Sequence, residues 1–301
     1  MIDYTGEIKK LKENSGAVIV AHNYQPAEIQ DIADYTGDSL ELSRISGKLS
    51  DKTIVFCGVK FMAETAKIIS PDKEVLLPDP EAGCSMADMV SASDILDFKK
   101  DHPACKVVCY VNSTAEVKTV SDLCVTSANA IEVIRKSGFD EILFVPDCNL
   151  GSFCEHHLPQ IKFHLWPGYC CVHHLITPEH LENGRKKYPH AELLVHPECS
   201  LKVSLSADKA LSTGQMLKYT AQSAQKEFII GTETGILHRM RKDSPDKIFH
   251  PLSETMICKD MKKITLEKVY LALKERRYAI ELDADTINKA RMPIERMFAL
   301  S

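Results

Sequence analysis

The chain contains no Cys-x-x-Cys pair, although eleven cysteines are spread along its 301 residues. That absence removes the usual support for a zinc ribbon or a thioredoxin-type redox motif. No apolar run approaches the roughly 20 residues of a membrane span; stretches such as 17–21 and 142–146 are strand-sized. No run of lysine and arginine exceeds three residues and the net charge is −5, so a basic footprint for nucleic acid is missing. The opening residues Met1-Ile2-Asp3-Tyr4 lack the pattern of a secretory leader. An odd cysteine count without a leader argues against a disulfide framework and makes cytoplasmic residence the expectation, with neither membrane nor nucleic acid as partner. Cys57 and Cys109 lie inside apolar strand patterns and read as small buried hydrophobes; strand alternation explains the Cys105–Cys109 spacing equally well.

What is present is an ordinary globular composition, 44% apolar and 26% charged, in a chain long enough for two or three compact units. Short β-branched runs alternate with helical patterns throughout, the mark of parallel α/β units. The runs are GAVIVAH, KTIVFCG, KEVLLPD, KVVCYVN, EILFVPD, IKFHLWP, AELLVHP, KEFIIGT and DKIFHPL, nine strands in three groups of three.

The groups keep a common register. His22, Tyr110 and His196 end the first strand of each, and Tyr24, Asn112 and Glu198 lie two residues further on. Each tip is followed 17 residues later by a hydroxyl, at Ser39, Ser127 and Thr213. Ile54, Ile142 and Phe228 in the second strands repeat at the same separations of 88 and 86 residues. A cysteine then stands 45, 43 and 45 residues beyond the hydroxyls: Cys84, Cys170 and Cys258. Repeats of this kind reveal architecture before any motif does. The expected fold is an internal triplication: three parallel-sheet αβα units about a pseudo-threefold axis, with boundaries at 1–87, 88–173 and 174–263. The two helical patterns of 264–301 are expected to complete the first unit.

Ligands bind at the carboxyl ends of parallel strands, so three such units would aim their cysteines at one point. Three thiolates suit zinc or an iron–sulfur cluster, and without a fourth protein ligand they leave a position open. Spacing alone does not separate Cys170 from Cys171, nor His173 from His174. The polar tips offer donors and bases around the metal. The hydroxyls lie in TGDSLEL, VTSANAI and LSTGQML, each opening a helix, where a hydroxyl with free N–H groups is both cap and anion seat.

At this point the sequence resembles the quinolinate synthases along essentially its whole length. The matching stretches include AHNYQ at 21–25, QDIADYTGDSLEL at 30–42, FMAETAKI at 61–68, GCSMAD at 83–88 and YVNSTAEVK at 110–118. They continue with VTSANA at 125–130, HPEC at 196–199, STGQM at 212–216, MKKITL at 261–266 and PIERM at 293–297. The resemblance implies one 4Fe–4S cluster per chain on three cysteines with one open iron. It implies condensation of iminoaspartate with dihydroxyacetone phosphate to quinolinate, phosphate and water in NAD biosynthesis, and a functional link to an enzyme that supplies iminoaspartate. The family's G-x-C-x-V-H pattern fits 168–173 in one register, selecting Cys170 and His173. Cluster ligands then fall on Cys84, Cys170 and Cys258. Substrate contacts fall on His22, Tyr24, Ser39, Tyr110, Asn112, Ser127, His173, His196, Glu198 and Thr213. Cys171 is not part of the family pattern, and the proline that usually follows HNYQ comes one residue early, at Pro26.

The net reaction needs no redox step, so the cluster is expected to act as a Lewis acid. Glu198 is the expected principal base, with Tyr24, Tyr110 and His196 as partners in proton transfer. Two other classes compete. One is another triplicated three-cysteine iron–sulfur enzyme, such as an isoprenoid-diphosphate reductase or a diphthamide-forming enzyme, whose turnover consumes electrons or S-adenosylmethionine. The other is a non-enzymatic metal-binding scaffold, for which a polar cleft would be pointless.

Overall fold

The computed structural model describes residues 2–50 and 52–301; Met1 and Asp51 lie outside the description. The first unit runs α1 (Tyr4–Ser15), β1 (Val18–His22), α2 (Ala27–Ile32), β2 (Tyr35–Gly37), α3 (Ser39–Lys48), β3 (Thr53–Cys57), α4 (Lys60–Ile69) and β4 (Glu74–Leu76). The second repeats the order with α5 (Ala92–Asp101), β5 (Lys106–Tyr110), α6 (Ala115–Thr119), β6 (Leu123–Val125), α7 (Ala130–Ser137), β7 (Glu141–Val145), α8 (Cys148–His157) and β8 (Lys162–Leu165). The third is α9 (Pro178–Lys187), β9 (Glu192–Val195), α10 (Leu201–Ser206), β10 (Lys209–Ala210), α11 (Thr213–Gln222), β11 (Glu227–Gly231), α12 (Ile236–Asp243) and β12 (Ile248–Pro251). A tail of α13 (Leu266–Glu275) and α14 (Ala284–Leu300) follows.

Each unit forms one all-parallel four-stranded sheet of the same order: β2-β1-β3-β4, β6-β5-β7-β8 and β10-β9-β11-β12. The triplicated α/β architecture expected from the register is therefore present, with twelve strands rather than nine. The three unforeseen strands, β2, β6 and β10, are edge strands of two or three residues, too short to show a period.

The central strands read as unbroken apolar runs because helices cover both faces of each sheet. Val18–Ala21, Ile54–Phe56, Val107–Cys109 and Ile142–Val145 are all buried. Phe56 and Phe144 are among the largest fully buried side chains, and truncating either to alanine would cost about 3–5 kcal/mol. One carboxylate per unit fixes the edge strand to its neighbour. Asp34, Asp122 and Asp208 accept the main-chain N–H of Ile19, Val107 and Leu193 at 2.8, 2.9 and 2.7 Å.

The tail is divided. Helix α13 packs on α1 in the core of the first unit, where Val269, Ala272 and Leu273 are buried. Helix α14 lies chiefly on α6 and β6, burying Ala290, Ile294 and Met297 in the core of the second unit. The sequence reading gave both helices to the first unit. The apolar face of α14 suits either sheet, and its final residues decide the matter, since the Asn129 amide donates to Ser301 Oγ and Lys136 to the Leu300 carbonyl. Among the described residues no helix is long and apolar enough to cross a membrane.

Candidate active site

The carboxyl ends of all three sheets open on one cleft. Its lining includes every residue singled out above: His22, Tyr24, Ser39, Cys84, Tyr110, Asn112, Ser127, Cys170, His173, His196, Glu198, Thr213 and Cys258. Residues drawn from positions 22 to 258 converge because each sits at the same point of its own unit.

Three local devices, two of them made three times and one twice, do the positioning. The first pairs a main-chain N–H with the side chain three residues on, completed as a capping box in the first and third units. Asp38, Thr126 and Ser212 present their main-chain N–H to the side-chain oxygen of Glu41, Asn129 and Gln215, at 3.0, 2.7 and 2.9 Å. In the first and third units the caps are thus the residues before the hydroxyls, and Ser39 and Thr213 are the first residues inside α3 and α11; in the second, Ser127 lies in the turn before α7, whose cap is Asn129. This corrects the expectation that the hydroxyls themselves cap; freed from that duty, they face the cleft. Asp38 also accepts the Gly214 N–H at 3.2 Å, and Gln215 donates to the Ala128 carbonyl at 3.0 Å, which stitches the units together.

The second device is at the strand tips. His22 Nδ1 accepts the Tyr24 N–H at 3.1 Å and His196 Nδ1 accepts the Glu198 N–H at 3.2 Å. Burial holds both imidazoles down to about 3, so each is neutral near pH 7. With Nδ1 accepting, the ring proton sits on Nε2, and each histidine is a neutral donor.

The third is the cysteine turn. The carbonyls of Cys84, Cys170 and Cys258 accept the N–H four residues on, from Asp88, His174 and Lys262, at 3.2, 2.9 and 3.3 Å. Each sulfur accepts the N–H groups two and three residues on: Met86 and Ala87, Val172 and His173, Asp260 and Met261. Each cysteine therefore opens a single tight turn whose N–H groups are directed at its sulfur. Burial pushes all three thiols up, Cys258 to about 11, against the pull of those N–H groups. A bound cation replaces the proton in such a setting. Cys171 is exposed and is not among the residues lining the cleft.

The spacing of the thiols bears on what they hold. Among the described residues, two sets of three donors have ligating atoms within 4.8 Å of one another, and the three thiols are not one of them. A single tetrahedral ion would draw three sulfurs to about 3.8 Å. One buried pair holds the third turn in place. Glu233 accepts the Cys258 N–H at 3.1 Å, the Gly235 N–H at 2.7 Å and Lys262 Nζ at 2.8 Å.

Glu198 is the electrostatic centre of the cleft. Its Oε1 accepts the Tyr110 hydroxyl at 2.7 Å and, longer, the Asn112 amide at 3.4 Å. Its Oε2 lies 2.6 Å from His173 Nδ1 and 3.7 Å from His196 Nδ1. Burial opposes ionisation, but the two imidazoles and the hydrogen bonds from His173 and Tyr110 outweigh it and hold the carboxyl below the usual range. Burial, and then the Glu198 charge, pushes both tyrosine hydroxyls up. His173 Nε2 meets Thr232 Oγ1 at 2.7 Å, and Thr232 Oγ1 meets the Tyr24 hydroxyl at 2.5 Å. A chain of polar contacts thus runs Tyr24, Thr232, His173, Glu198, Tyr110, with His173 Nδ1 also meeting Cys170 Sγ at 3.2 Å.

Sequence reasoning missed Thr232, Glu233 and Lys262. The register offered a signal for one, since Glu233 stands 86 residues after Asp147, another buried acid at a strand tip. Burial pushes Asp147 well up, and its Oδ2 has no hydrogen-bond partner.

Fold and cleft together define a triplicated α/β enzyme that sets three cysteine turns against a ring of polar strand tips. The chain belongs to the quinolinate synthetase A protein family, whose model matches residues 6–299. It is 53% identical to a quinolinate synthase of Dehalococcoides mccartyi over 246 residues, 82% of this chain and 81% of that one. It is 47% identical to a quinolinate synthase of Caldicellulosiruptor bescii over 294 residues, 98% and 97% of the two chains. A Clostridium kluyveri quinolinate synthase is 50% identical over 246 residues, covering 82% of this chain and 81% of its own.

Proposed function

We propose that this chain condenses iminoaspartate with dihydroxyacetone phosphate to give quinolinate, phosphate and two waters, with a 4Fe–4S cluster on Cys84, Cys170 and Cys258. The observation that carries the reading is the threefold cysteine turn opening on one cleft, beside an ionised Glu198 and neutral donors. When bound, such a cluster supplies a Lewis-acidic iron able to polarise a substrate oxygen or nitrogen.

The chain's own residues do the rest. Ser39, Ser127 and Thr213, with Asn112 and the Nε2–H groups of His22 and His196, hold carboxylate and phosphate oxygens through neutral donors and helix starts. Glu198 takes protons from carbon or nitrogen. The chain through His173 and Thr232 connects it to Tyr24, so that Tyr24 and Tyr110 exchange protons with it at two places in the cleft. His196 lies beside Glu198 as a neutral neighbour that holds the Glu198 N–H. Iminoaspartate hydrolyses readily in water, so an enzyme that produces it is the natural partner, and the buried tips limit the water that reaches it. Free thiols throughout suit a reducing, cytoplasmic setting.

The test is turnover. Anaerobically prepared protein given dihydroxyacetone phosphate and freshly generated iminoaspartate should release quinolinate and phosphate with no added reductant or nucleotide. An absolute need for a reductant during turnover would move the chain to the reductive iron–sulfur class. A second reading rests on Cys170, His173 and Glu198, whose donor atoms lie within 4.8 Å of one another and would suit one zinc. Metal analysis separates the two: about four irons per chain supports the cluster, and a single zinc with no iron supports the alternative.

A further inference from the structure

A second constellation lies at the opposite, amino end of the second sheet. Glu141 opens β7, His164 lies on the edge strand β8, and His102 follows the last residue of α5. One ligating atom from each falls within 4.8 Å of the others, and all three side chains are half-buried. His164 Nε2 lies 2.7 Å from Glu141 Oε1. The His102 and His164 rings are 4.8 Å apart, with Phe98 stacked on His102 at 4.4 Å and set edge-on to His164 at 5.2 Å. Among the described residues the His102 ring nitrogens have no hydrogen-bond partner, and neither has Glu141 Oε2.

The triplication supplies an internal control. In the third unit His250 Nε2 bonds Glu227 Oε1 at 2.8 Å, the same pair at the same register. There the residue after the helix is Tyr188, whose ring stacks on His250 at 3.6 Å and 10°. In the first unit Thr53 and Leu76 occupy the pair's positions. A histidine paired with a strand-opening glutamate is therefore not peculiar to one unit. What distinguishes the second is an imidazole where the third has a phenol, and that completes a two-histidine, one-carboxylate set.

We propose that His102, Glu141 and His164 form a site for a divalent transition ion of the zinc class, separate from the cleft. Two imidazoles and a carboxylate are a recurrent zinc donor set. The aromatic wall of Phe98 limits solvent on one side. His164 and Glu141 need to part by only about 0.6–0.9 Å for both to reach an ion at about 2.0–2.2 Å in tetrahedral geometry. Lys162 Nζ now bonds Glu141 Oε1 at 2.9 Å, and it must swing out; its side chain is 63% exposed, so solvent receives it. A site closed by three protein ligands and water at the base of a sheet would brace α5 against β7 and β8.

The probe is zinc alone, offered to cluster-loaded, anaerobic protein so that the cleft cysteines are occupied. Wild-type protein should bind one equivalent and gain thermal stability with it. His102→Tyr, which copies the third unit, should bind at least about a hundredfold more weakly, as expected for losing a ligand where outer partners alone are worth 10–100-fold. Its quinolinate synthesis should be unchanged. His102→Asn gives the same reading should the tyrosine disturb folding. Zinc binding equal in wild type and both variants, or none in wild type, overturns the proposal and leaves an ion pair and ring stack only.

Discussion

The three cysteine turns and the three strand tips are built on the same repeat, yet they have been treated in opposite ways. The turns are near copies: each sulfur takes the N–H groups two and three residues on, and each carbonyl the N–H four residues on. The tips share a backbone and vary in chemistry: His22 and His196 match, Tyr110 stands in their place in the second unit, and the residues two further on are Tyr24, Asn112 and Glu198. Sameness suits an object that presents equivalent faces to three turns. Difference suits a pair of unlike substrates that must be held in one orientation. Only one of the three tips carries a carboxylate, and the chain of polar contacts converges there.

The comparison can be broken first at the turns, where the effect should be largest. Cys84→Ala and Cys258→Ala should each lose the cluster and all activity, because no neighbouring cysteine is placed to substitute. Iron content after anaerobic reconstitution measures it, and a variant that keeps full iron would show its turn to be a structural copy without a ligand.

At the tips, Glu198→Gln keeps shape and most hydrogen bonds but removes the base. Its kcat should fall about 10²–10⁴-fold with iron intact. If more than about a tenth of wild-type kcat survives, far outside that range, Glu198 only positions substrate and proton transfer passes to Tyr24, Tyr110 or His196.

Thr232→Val should have an intermediate effect. It cuts the chain between Tyr24 and His173 and leaves buried groups unpaired, for a loss of about 1–3 kcal/mol, or roughly ten- to a hundredfold in kcat. An unchanged kcat would mean that Tyr24 works independently of Glu198. Thr213→Ala should be milder still and act mainly on KM, up to about tenfold, since the start of α11 still offers main-chain N–H groups.

A different kind of effect concerns stability. Burial holds folded His22 and His196 down to about 3, whereas histidine in the unfolded chain protonates near 6.5. Above pH 6.5 both are neutral in either state and add no slope. Between 6.5 and 3 the unfolded state binds more protons, so cluster-free protein should lose stability as pH falls through that window. His22→Asn and His196→Asn should each flatten the decline in denaturant midpoints, and a slope that neither alters would contradict it.

How much of this was legible depended on what repeats. The nine long strands, the hydroxyls and Cys84 and Cys258 could be found because 88- and 86-residue separations persist wherever each unit needs the same backbone. Asp38, Thr126 and Ser212, whose N–H groups are held by the side chain three residues on, keep those separations too, but differ in type and so carry no visible signal beside the hydroxyls. Strands β2, β6 and β10 are too short to carry a pattern. Thr232 and Lys262 act through partners hundreds of residues away in sequence, Tyr24 among them, and nothing local marks them. The destination of α14 was invisible for a related reason: an apolar helical face records that it is buried, not against what.

The turn in the second unit tests the central claim most directly, because there two cysteines stand side by side. Cys170 opens its turn with its sulfur at the cleft, and Cys171 is exposed. Anaerobically reconstituted Cys170→Ala and Cys171→Ala should be compared by iron count and visible absorbance. The account predicts a colourless, iron-poor Cys170→Ala and a brown Cys171→Ala with near-normal iron; the reverse pattern would contradict it.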